Sequence, residues 1–132
     1  MKRITKHALL VIKDNKILLQ IEKKQDKLLL PGGKPRKGED YLKCLKREIK
    51  EELGAQIEEE SIKSLGKFED VAADATSILT VELFTGQINT KPKPSSEVKK
   101  LVWFGTKNDA DRLSPVIRNK IMPYLEAVRL LK

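Results

Sequence analysis

Residues 33–55 read GKPRKGEDYLKCLKREIKEELGA, and this stretch decides the architecture that the sequence predicts. It begins as a loop rich in glycine, proline and lysine, and then changes to apolar residues at the spacing of one helical face. These apolar residues are Leu42, Leu45, Ile49 and Leu53. Gly54 follows them as a helix stop signal. We therefore predict a helix from about Glu39 to Leu53.

Three glutamates, Glu48, Glu51 and Glu52, lie near the end of this helix. At about 100° per residue they fall within roughly 100° of one another, beside the apolar stripe. Like charges three or four residues apart repel each other, so a bound cation explains the cluster most simply. Carboxylate oxygens suit Mg²⁺ or Mn²⁺. The alternative is a solvated face balanced by the neighbouring cations, which are Lys46, Arg47 and Lys50.

The glycines and charges of this stretch form the pattern G-x5-E-x7-R-E-I-x-E-E-x-G, which resembles the Nudix box. The matching residues are Gly33, Glu39, Arg47, Glu48, Ile49, Glu51, Glu52 and Gly54. The box covers 23 of the 132 positions, and its last position, usually a larger aliphatic residue, is Ala55. The chain is identified as a member of the Nudix hydrolase family, with a MutT-like box.

The resemblance implies a Mg²⁺-dependent pyrophosphohydrolase, with Mn²⁺ as the other metal, that cleaves a diphosphate linkage in a nucleoside di- or triphosphate derivative. It implies that Glu48, Glu51 and Glu52 hold the metal together with the carbonyl of Gly32. Arg47 is expected to orient the glutamates. Catalytic roles are thus expected for Glu48, Glu51 and Arg47, and the general base is Glu48, Glu51 or an acidic residue outside the box.

Residues around the box complete the predicted site. Many family members use an acidic residue from outside the box, and Glu97 is the first candidate for this extra metal ligand or base, with Glu82 second. The predicted substrate-binding residues are Gly33, Lys34, Arg36 and Trp103. The predicted wall for the nucleoside is formed by the strands around Phe68, Phe84 and Trp103. The single histidine and the single cysteine, His7 and Cys44, are expected to be structural.

The flanking segments predict an α/β fold. Residues 5–12 and 17–21 should pair as an antiparallel hairpin across Asp14 and Asn15, which tolerate the positive φ angles of a tight turn. Residues 28–30 are expected to form a short buried strand. Longer strands are expected near 62–71, 78–88 and 99–104.

A C-terminal helix is expected over residues 116–131, kinked or divided at Pro123. With the family resemblance, these elements predict a Nudix-type α/β/α sandwich with a mixed β-sheet, in which residues 1–132 form a single domain. The glutamate helix should cover one side of the sheet and the C-terminal helix the other.

The charge balance limits the partners. Lys and Arg number 27 against 19 Asp and Glu, and the net charge of +8 attracts polyanions. The main alternative to an enzyme is a catalytically inactive Nudix-fold module that binds a nucleotide or RNA. For an enzyme, the partner is a small nucleotide, and nucleic acid enters only as a capped or triphosphorylated RNA substrate. The sequence leaves the oligomeric state open.

The cellular location follows from weaker signals. One cysteine cannot form an internal disulfide, so nothing indicates a disulfide-stapled secreted scaffold. No apolar stretch reaches the roughly 20 residues that cross a bilayer. We expect a cytoplasmic protein without a membrane partner.

Overall fold

The computed structural model describes residues 1–132 and contains seven β-strands and two α-helices. The strands are β1 (Lys2–Leu10), β2 (Ile12–Lys13), β3 (Lys16–Glu22), β4 (Gly32–Gly33), β5 (Ile57–Val71), β6 (Ser77–Ile88) and β7 (Val98–Phe104). The helices are α1 (Tyr41–Leu53) and α2 (Met122–Ala127). The three long strands predicted in the second half of the sequence are present as β5, β6 and β7.

The strands form two sheets. One has the order β4-β1-β6-β5, and it is mixed because β1 runs parallel to β6 whereas its other pairs are antiparallel. The other is antiparallel with the order β2-β3-β7. One chain segment links the two sheets, because β1 belongs to the first sheet and β2, which follows after a single residue, belongs to the second.

The hairpin prediction was correct only at its tip. Asp14 and Asn15 have φ angles of 52° and 58°, which suits a tight turn, and β2 pairs with the start of β3. The prediction that residues 5–12 pair with residues 17–21 along their length was wrong. β1 pairs instead with β6 over Lys2–Leu10, so β1 and β3 belong to different sheets.

Two apolar clusters cover opposite faces of the sheets. In β1, Leu9 packs in the cluster with the α1 residues, whereas Ala8 and Leu10 pack in the cluster with the C-terminal helix. Successive strand residues point to opposite faces, so one strand contributes to both clusters. This arrangement confirms the predicted α/β/α sandwich with a mixed sheet.

Two local predictions need correction. Residues 28–30 form no strand, because Leu28 and Leu29 make only isolated bridges, to Leu113 and Gln20. Leu28 is nevertheless fully buried, as its apolar character requires. Glu39 lies outside helix α1, since Asp40 is the N-cap and accepts a hydrogen bond from the Lys43 N–H.

The C-terminal helix runs over residues 115–127, so it ends four residues before the predicted 131, and it is divided, as predicted, close to Pro123. Residues Ile117–Ile121 form a π-helical turn, in which the Met122 N–H donates to the Ile117 carbonyl. Proline has no N–H to donate, so the turn before it cannot keep the regular α-helical bonds. The helices of this protein include none that is both long and apolar enough to cross a membrane.

Candidate active site

Helix α1 presents its polar side to strand β4. Its fully buried residues Leu45, Ile49 and Leu53 anchor it on the sheet, and Gly54 ends it in a left-handed conformation with φ 60°. The helix is thereby fixed in rotation about its axis. As a result, Glu48 and Glu52 face the Gly32–Gly33 segment of β4.

Arg47 is the centre of a charged network. Its Nε and Nη2 donate to the two carboxylate oxygens of Glu39 at 2.7 and 2.9 Å, and its Nη1 donates to Glu48 at 2.7 Å. Nη2 also donates to the Lys34 carbonyl at 3.1 Å. Such bidentate, charge-assisted pairs are short and orientationally specific. Hydrogen bonding to Arg47 lowers the pKa of Glu39 to about 2, and hydrogen bonding to Glu39 raises the pKa of Arg47.

Glu48 occupies space that a side chain at Gly33 would fill. A Cβ atom on Gly33 would lie 2.4 Å from the Glu48 Cδ, so the carboxylate can rest against the strand only because Gly33 has none. The carbonyl of Gly33 accepts a hydrogen bond from the Cys44 Sγ at 3.4 Å. Burial raises the pKa of Cys44 to about 11, which keeps the thiol protonated and is consistent with a structural role.

Glu52 is a buried carboxylate without an ion pair. Its side chain accepts a hydrogen bond from the Gly32 N–H at 2.8 Å and another from the Gln20 Nε2 at 2.9 Å. The residue is only 7% exposed, and burial raises its pKa to about 7. Gly32 has a φ of 140° and its absent Cβ would lie 2.1 Å from the His7 carbonyl oxygen, so only glycine fits there.

The third glutamate is the exposed member of the cluster. Glu51 is 44% exposed and lies 3.6 Å from Arg47 and 3.8 Å from Arg36. The side chains as they stand do not converge as a group of three on one point. The donor chemistry nevertheless fits a hard divalent cation, because all three are oxygen donors and the buried Glu52 lacks a counter-charge.

A family model described as NUDIX domain matches residues 2–121, which is nearly the whole chain. The chain belongs to the Nudix family. As a Nudix hydrolase it acts on phosphoanhydride bonds of nucleoside diphosphate-linked compounds, and hydrolases of this family generally use a divalent metal. A search of curated proteins finds no match.

Solved structures share the fold. A NUDIX hydrolase from Nitrosomonas europaea is 21% identical with a TM-score of 0.76, and the match covers 99% of this chain and 97% of that one. The MutT protein from Methanosarcina mazei Go1 is 18% identical with a TM-score of 0.75, covering 97% and 96%. The E. coli ORF135 protein is 24% identical with a TM-score of 0.71, covering 98% and 94%. At these identities the likeness shows the Nudix fold.

The acidic candidates outside the Nudix box lie in different places. Glu97 is exposed in the turn just before β7, and its carboxylate makes no hydrogen bond or ion pair. Glu82 lies on β6 with its Oε2 3.2 Å from the His7 Nε2 and its Oε1 3.4 Å from the Lys67 Nζ. His7 is in turn paired in register with Gly33 of β4. A row of polar side chains therefore crosses the mixed sheet, from the Glu48 carboxylate beside Gly33 through His7 and Glu82 to Lys67.

The predicted substrate-binding residues lie on different elements of the structure. Lys34 and Arg36 lie in the loop beside Arg47, and the Arg36 N–H donates to Glu39 at 2.7 Å. Trp103 lies on β7, opposite Leu18 of β3. The predicted nucleoside wall was wrong for Phe68, which packs beside the C-terminal helix, whereas Phe84 and Trp103 pack in the cluster beside α1. Phe84 instead stacks on Tyr41, with ring centroids 4.7 Å apart.

Sequence reasoning missed Gln20, which is fully buried and bonds to Glu52. A signal for it was present, since Gln20 is the one polar residue within the apolar run from Ile17 to Ile21. A buried amide within an apolar strand needs a hydrogen-bond partner. The partner itself, on a helix 32 residues away, is a product of the tertiary fold.

Proposed function

We propose that this Nudix hydrolase is a Mg²⁺-dependent pyrophosphohydrolase that cleaves a diphosphate linkage in a nucleoside di- or triphosphate derivative. The observation that carries the proposal is the pair of carboxylates over β4, with Glu48 held by Arg47 and Glu52 buried without an ion pair. A buried carboxylate without a counter-charge is unfavourable unless a cation joins it. An inactive binding module would have no use for this arrangement.

The box glutamates and Glu97 have proposed roles at the metal. Glu48, Glu51, Glu52 and the Gly32 carbonyl hold the metal, and Glu97 is the proposed ligand from outside the box. When bound, Mg²⁺ neutralises charge on the phosphate oxygens and acidifies a water. Mn²⁺ has the same preference for oxygen ligands and is the expected substitute.

The chain supplies the proton acceptor and the phosphate contacts. Glu48 or Glu51 accepts a proton from the attacking water, and Arg47 keeps Glu48 in position through a 2.7 Å hydrogen bond. Lys34 and Arg36 are exposed beside this network and bind the phosphate oxygens of the substrate. Further substrate contacts are assigned to Gly33, whose backbone lies against Glu48, and to Trp103.

The first substrate class is an oxidised or non-standard nucleoside triphosphate, and the second is a nucleoside diphosphate linked to another group. The products are a nucleoside monophosphate and pyrophosphate, or two phosphorylated fragments. At the start of the C-terminal helix, Val116 and Ile117 are buried and Arg118 is paired with Asp111 at 2.9 Å. Few polar groups are free there to bind a purine edge, which supports the second class. A cytoplasmic location is part of the proposal, since Cys44 is a free thiol suited to a reducing compartment.

The test is a hydrolysis panel with Mg²⁺ over nucleoside triphosphates, nucleotide sugars, dinucleoside polyphosphates and capped or triphosphorylated RNA. We expect turnover of at least one nucleoside compound, lost on chelation and restored by Mg²⁺ or Mn²⁺. A preference of at least about 100-fold in kcat/KM for a substrate without a nucleoside would contradict the substrate class. Tight nucleotide or RNA binding with no turnover of any compound would favour the inactive module.

A further inference from the structure

A groove of about 940 Å³, lined by none of the box glutamates, lies between β7, the junction of β1 with β2, and the loop after β6. Its apolar floor includes Val11, Leu101 and Trp103. Leu101 and Trp103 are two residues apart on β7, so their side chains lie on the same face of the strand. Both belong to the apolar cluster on the α1 side of the sheets and are only partly buried. The Trp103 indole therefore packs against this apolar cluster and is partly exposed to the groove.

The rim of the groove is cationic. Its four lysines are Lys13, Lys91, Lys99 and Lys100, and no acidic residue lines it. None of these four ammonium groups makes an ion pair or a side-chain hydrogen bond, whereas five other lysines and arginines are paired with glutamates. Positive charge that is left unpaired around a concave surface attracts polyanions. The rim also carries the polar side chains of Gln87, Asn89 and Thr90.

We propose that this groove binds single-stranded nucleic acid, with a base stacked on Trp103 and backbone phosphates paired with the rim lysines. Proteins that bind single strands combine a cationic groove with an aromatic stacking surface. A volume of 940 Å³ is at the upper end of pockets for small ligands, so the groove accommodates more than one nucleotide. The side-chain amide of Gln87 makes no hydrogen bond and is available to base edges, whereas the Asn89 amide donates to the Gln56 Oε1 at 3.4 Å.

The groove is joined to the end of the glutamate helix. The Lys93 N–H donates to the Leu53 carbonyl at 2.9 Å, and the Ser95 N–H donates to the Glu52 carbonyl at 3.0 Å. The loop that forms one wall of the groove is thus attached to the last turn of α1. Trp103 is also a substrate contact of the proposed function, but strand binding needs neither the metal nor hydrolysis, so failure of the groove and failure of the proposed function are distinguishable.

The experiment uses the intrinsic fluorescence of Trp103, the only tryptophan in the protein. The protein is titrated in EDTA with a uridine hexanucleotide, a thymidine hexanucleotide and uridine monophosphate. We expect saturable quenching by the hexanucleotides and at least about tenfold weaker binding of the monophosphate. Neutralisation of about three phosphates gives a slope near −2 in log Kobs against log salt. No quenching by either hexanucleotide, or equal affinity for the monophosphate, would overturn the proposal.

Matched charge variants locate the site. Lys91→Glu/Lys99→Glu should weaken hexanucleotide binding by at least about tenfold and reduce the salt slope by about 1.4. Lys2→Glu/Lys120→Glu changes the net charge equally at exposed positions outside the groove, and it should retain most of the affinity. Equal losses of affinity in the two double variants would mean that the hexanucleotide is attracted by the overall charge of +8. That result would overturn the proposal that it binds in the groove.

A second pair of variants tests stacking, with a labelled hexanucleotide and anisotropy as the measurement. Trp103→Phe retains a ring and should bind nearly as the wild type does. Trp103→Leu should bind about tenfold more weakly. Circular dichroism establishes that both variants are folded. Identical affinities of the two folded variants would exclude stacking on this residue and contradict the proposal.

Discussion

The carboxylate of Glu52 accepts a hydrogen bond from the backbone N–H of Gly32 at 2.8 Å, across 20 residues of sequence. This bond joins the last turn of α1 to strand β4. Gln20 of β3 donates to the same carboxylate, so one buried acid connects both sheets and the helix. Any change at Glu52 therefore acts on the proposed metal site and on the packing of the sheets together.

The first prediction concerns turnover. Glu51→Gln and Glu52→Gln should each lower kcat by at least about 100-fold, because each removes a charged ligand of the proposed metal. Both variants should remain folded by circular dichroism. Glu126→Gln, at an exposed position on α2, is the matched control and should leave kcat unchanged. Wild-type turnover in both site variants would exclude the glutamates as ligands.

The second prediction concerns the stability of the metal-free protein against pH. The pKa of Glu52 is about 7 in the folded state and 4.5 as the free reference, so the folded state holds the proton more tightly. This stabilisation is fully present below pH 4.5 and is lost as the pH rises through 7. By linkage it amounts to at most about 3 kcal/mol.

Urea unfolding in EDTA between pH 4 and 8 measures this effect. Glu52→Gln stays neutral throughout, and the unpartnered Oε1 of Gln20 can accept from the new amide after a flip. The stability of the variant should therefore fall less than that of the wild type between pH 4.5 and 7. Parallel plots of unfolding free energy against pH for the wild type and Glu52→Gln would show that burial of Glu52 does not control the pH dependence of stability.

The third prediction concerns the Arg47–Glu39 pair. Arg47→Lys cannot keep the two parallel bonds to Glu39 together with the bond to Glu48, because an ammonium group lacks the planar fork. We expect a loss in kcat of about tenfold or more. Glu39→Gln should lose less, since the contact with Glu48 remains.

Combining these two changes tests whether they act through one contact. The double variant should lose about as much kcat as Arg47→Lys alone, since residues that act as a unit are not additive. Losses that multiply would show that Glu39 acts separately from Arg47.

The fourth prediction concerns Gly33. In Gly33→Ala the new methyl group would lie 2.4 Å from the Glu48 Cδ, so the carboxylate must leave its place and its bond to Arg47. Glu48 is the end of a flexible side chain, so the expected cost in unfolding free energy is small, about 1 kcal/mol. Activity should fall at least about tenfold.

Gly105→Ala is the control for this variant, because the nearest atom to its Cβ would be in the flexible Lys16 side chain at 3.3 Å, and its other contacts, at 3.7 Å, are ordinary van der Waals contacts. The control should retain both activity and stability. A thermal midpoint lowered strongly in Gly33→Ala, with activity per folded molecule unchanged, would contradict the positional role of Glu48.

Much of the fold was predictable where the signal is local. The apolar stripe of α1 and the stop at Gly54 lie within a few residues of one another, and the structure has the helix from Tyr41 to Leu53. The turn at Asp14 and Asn15 was predictable for the same reason. Glu39 was placed wrongly because Asp40, one residue later, takes the capping position and leaves Glu39 free to bind Arg47.

The sequence by itself determined the family, the helix with its three carboxylates, and the side of that helix that is buried, because residues three or four apart on a helix must be neighbours. Only the tertiary structure decided that β1 pairs in parallel with β6, that Gln20 and Gly32 bind Glu52, and that Trp103 lines a groove with unpaired lysines. These contacts join residues far apart in the chain. A strand offers the same backbone donors and acceptors to any neighbour, so its partner is selected by packing of the whole fold.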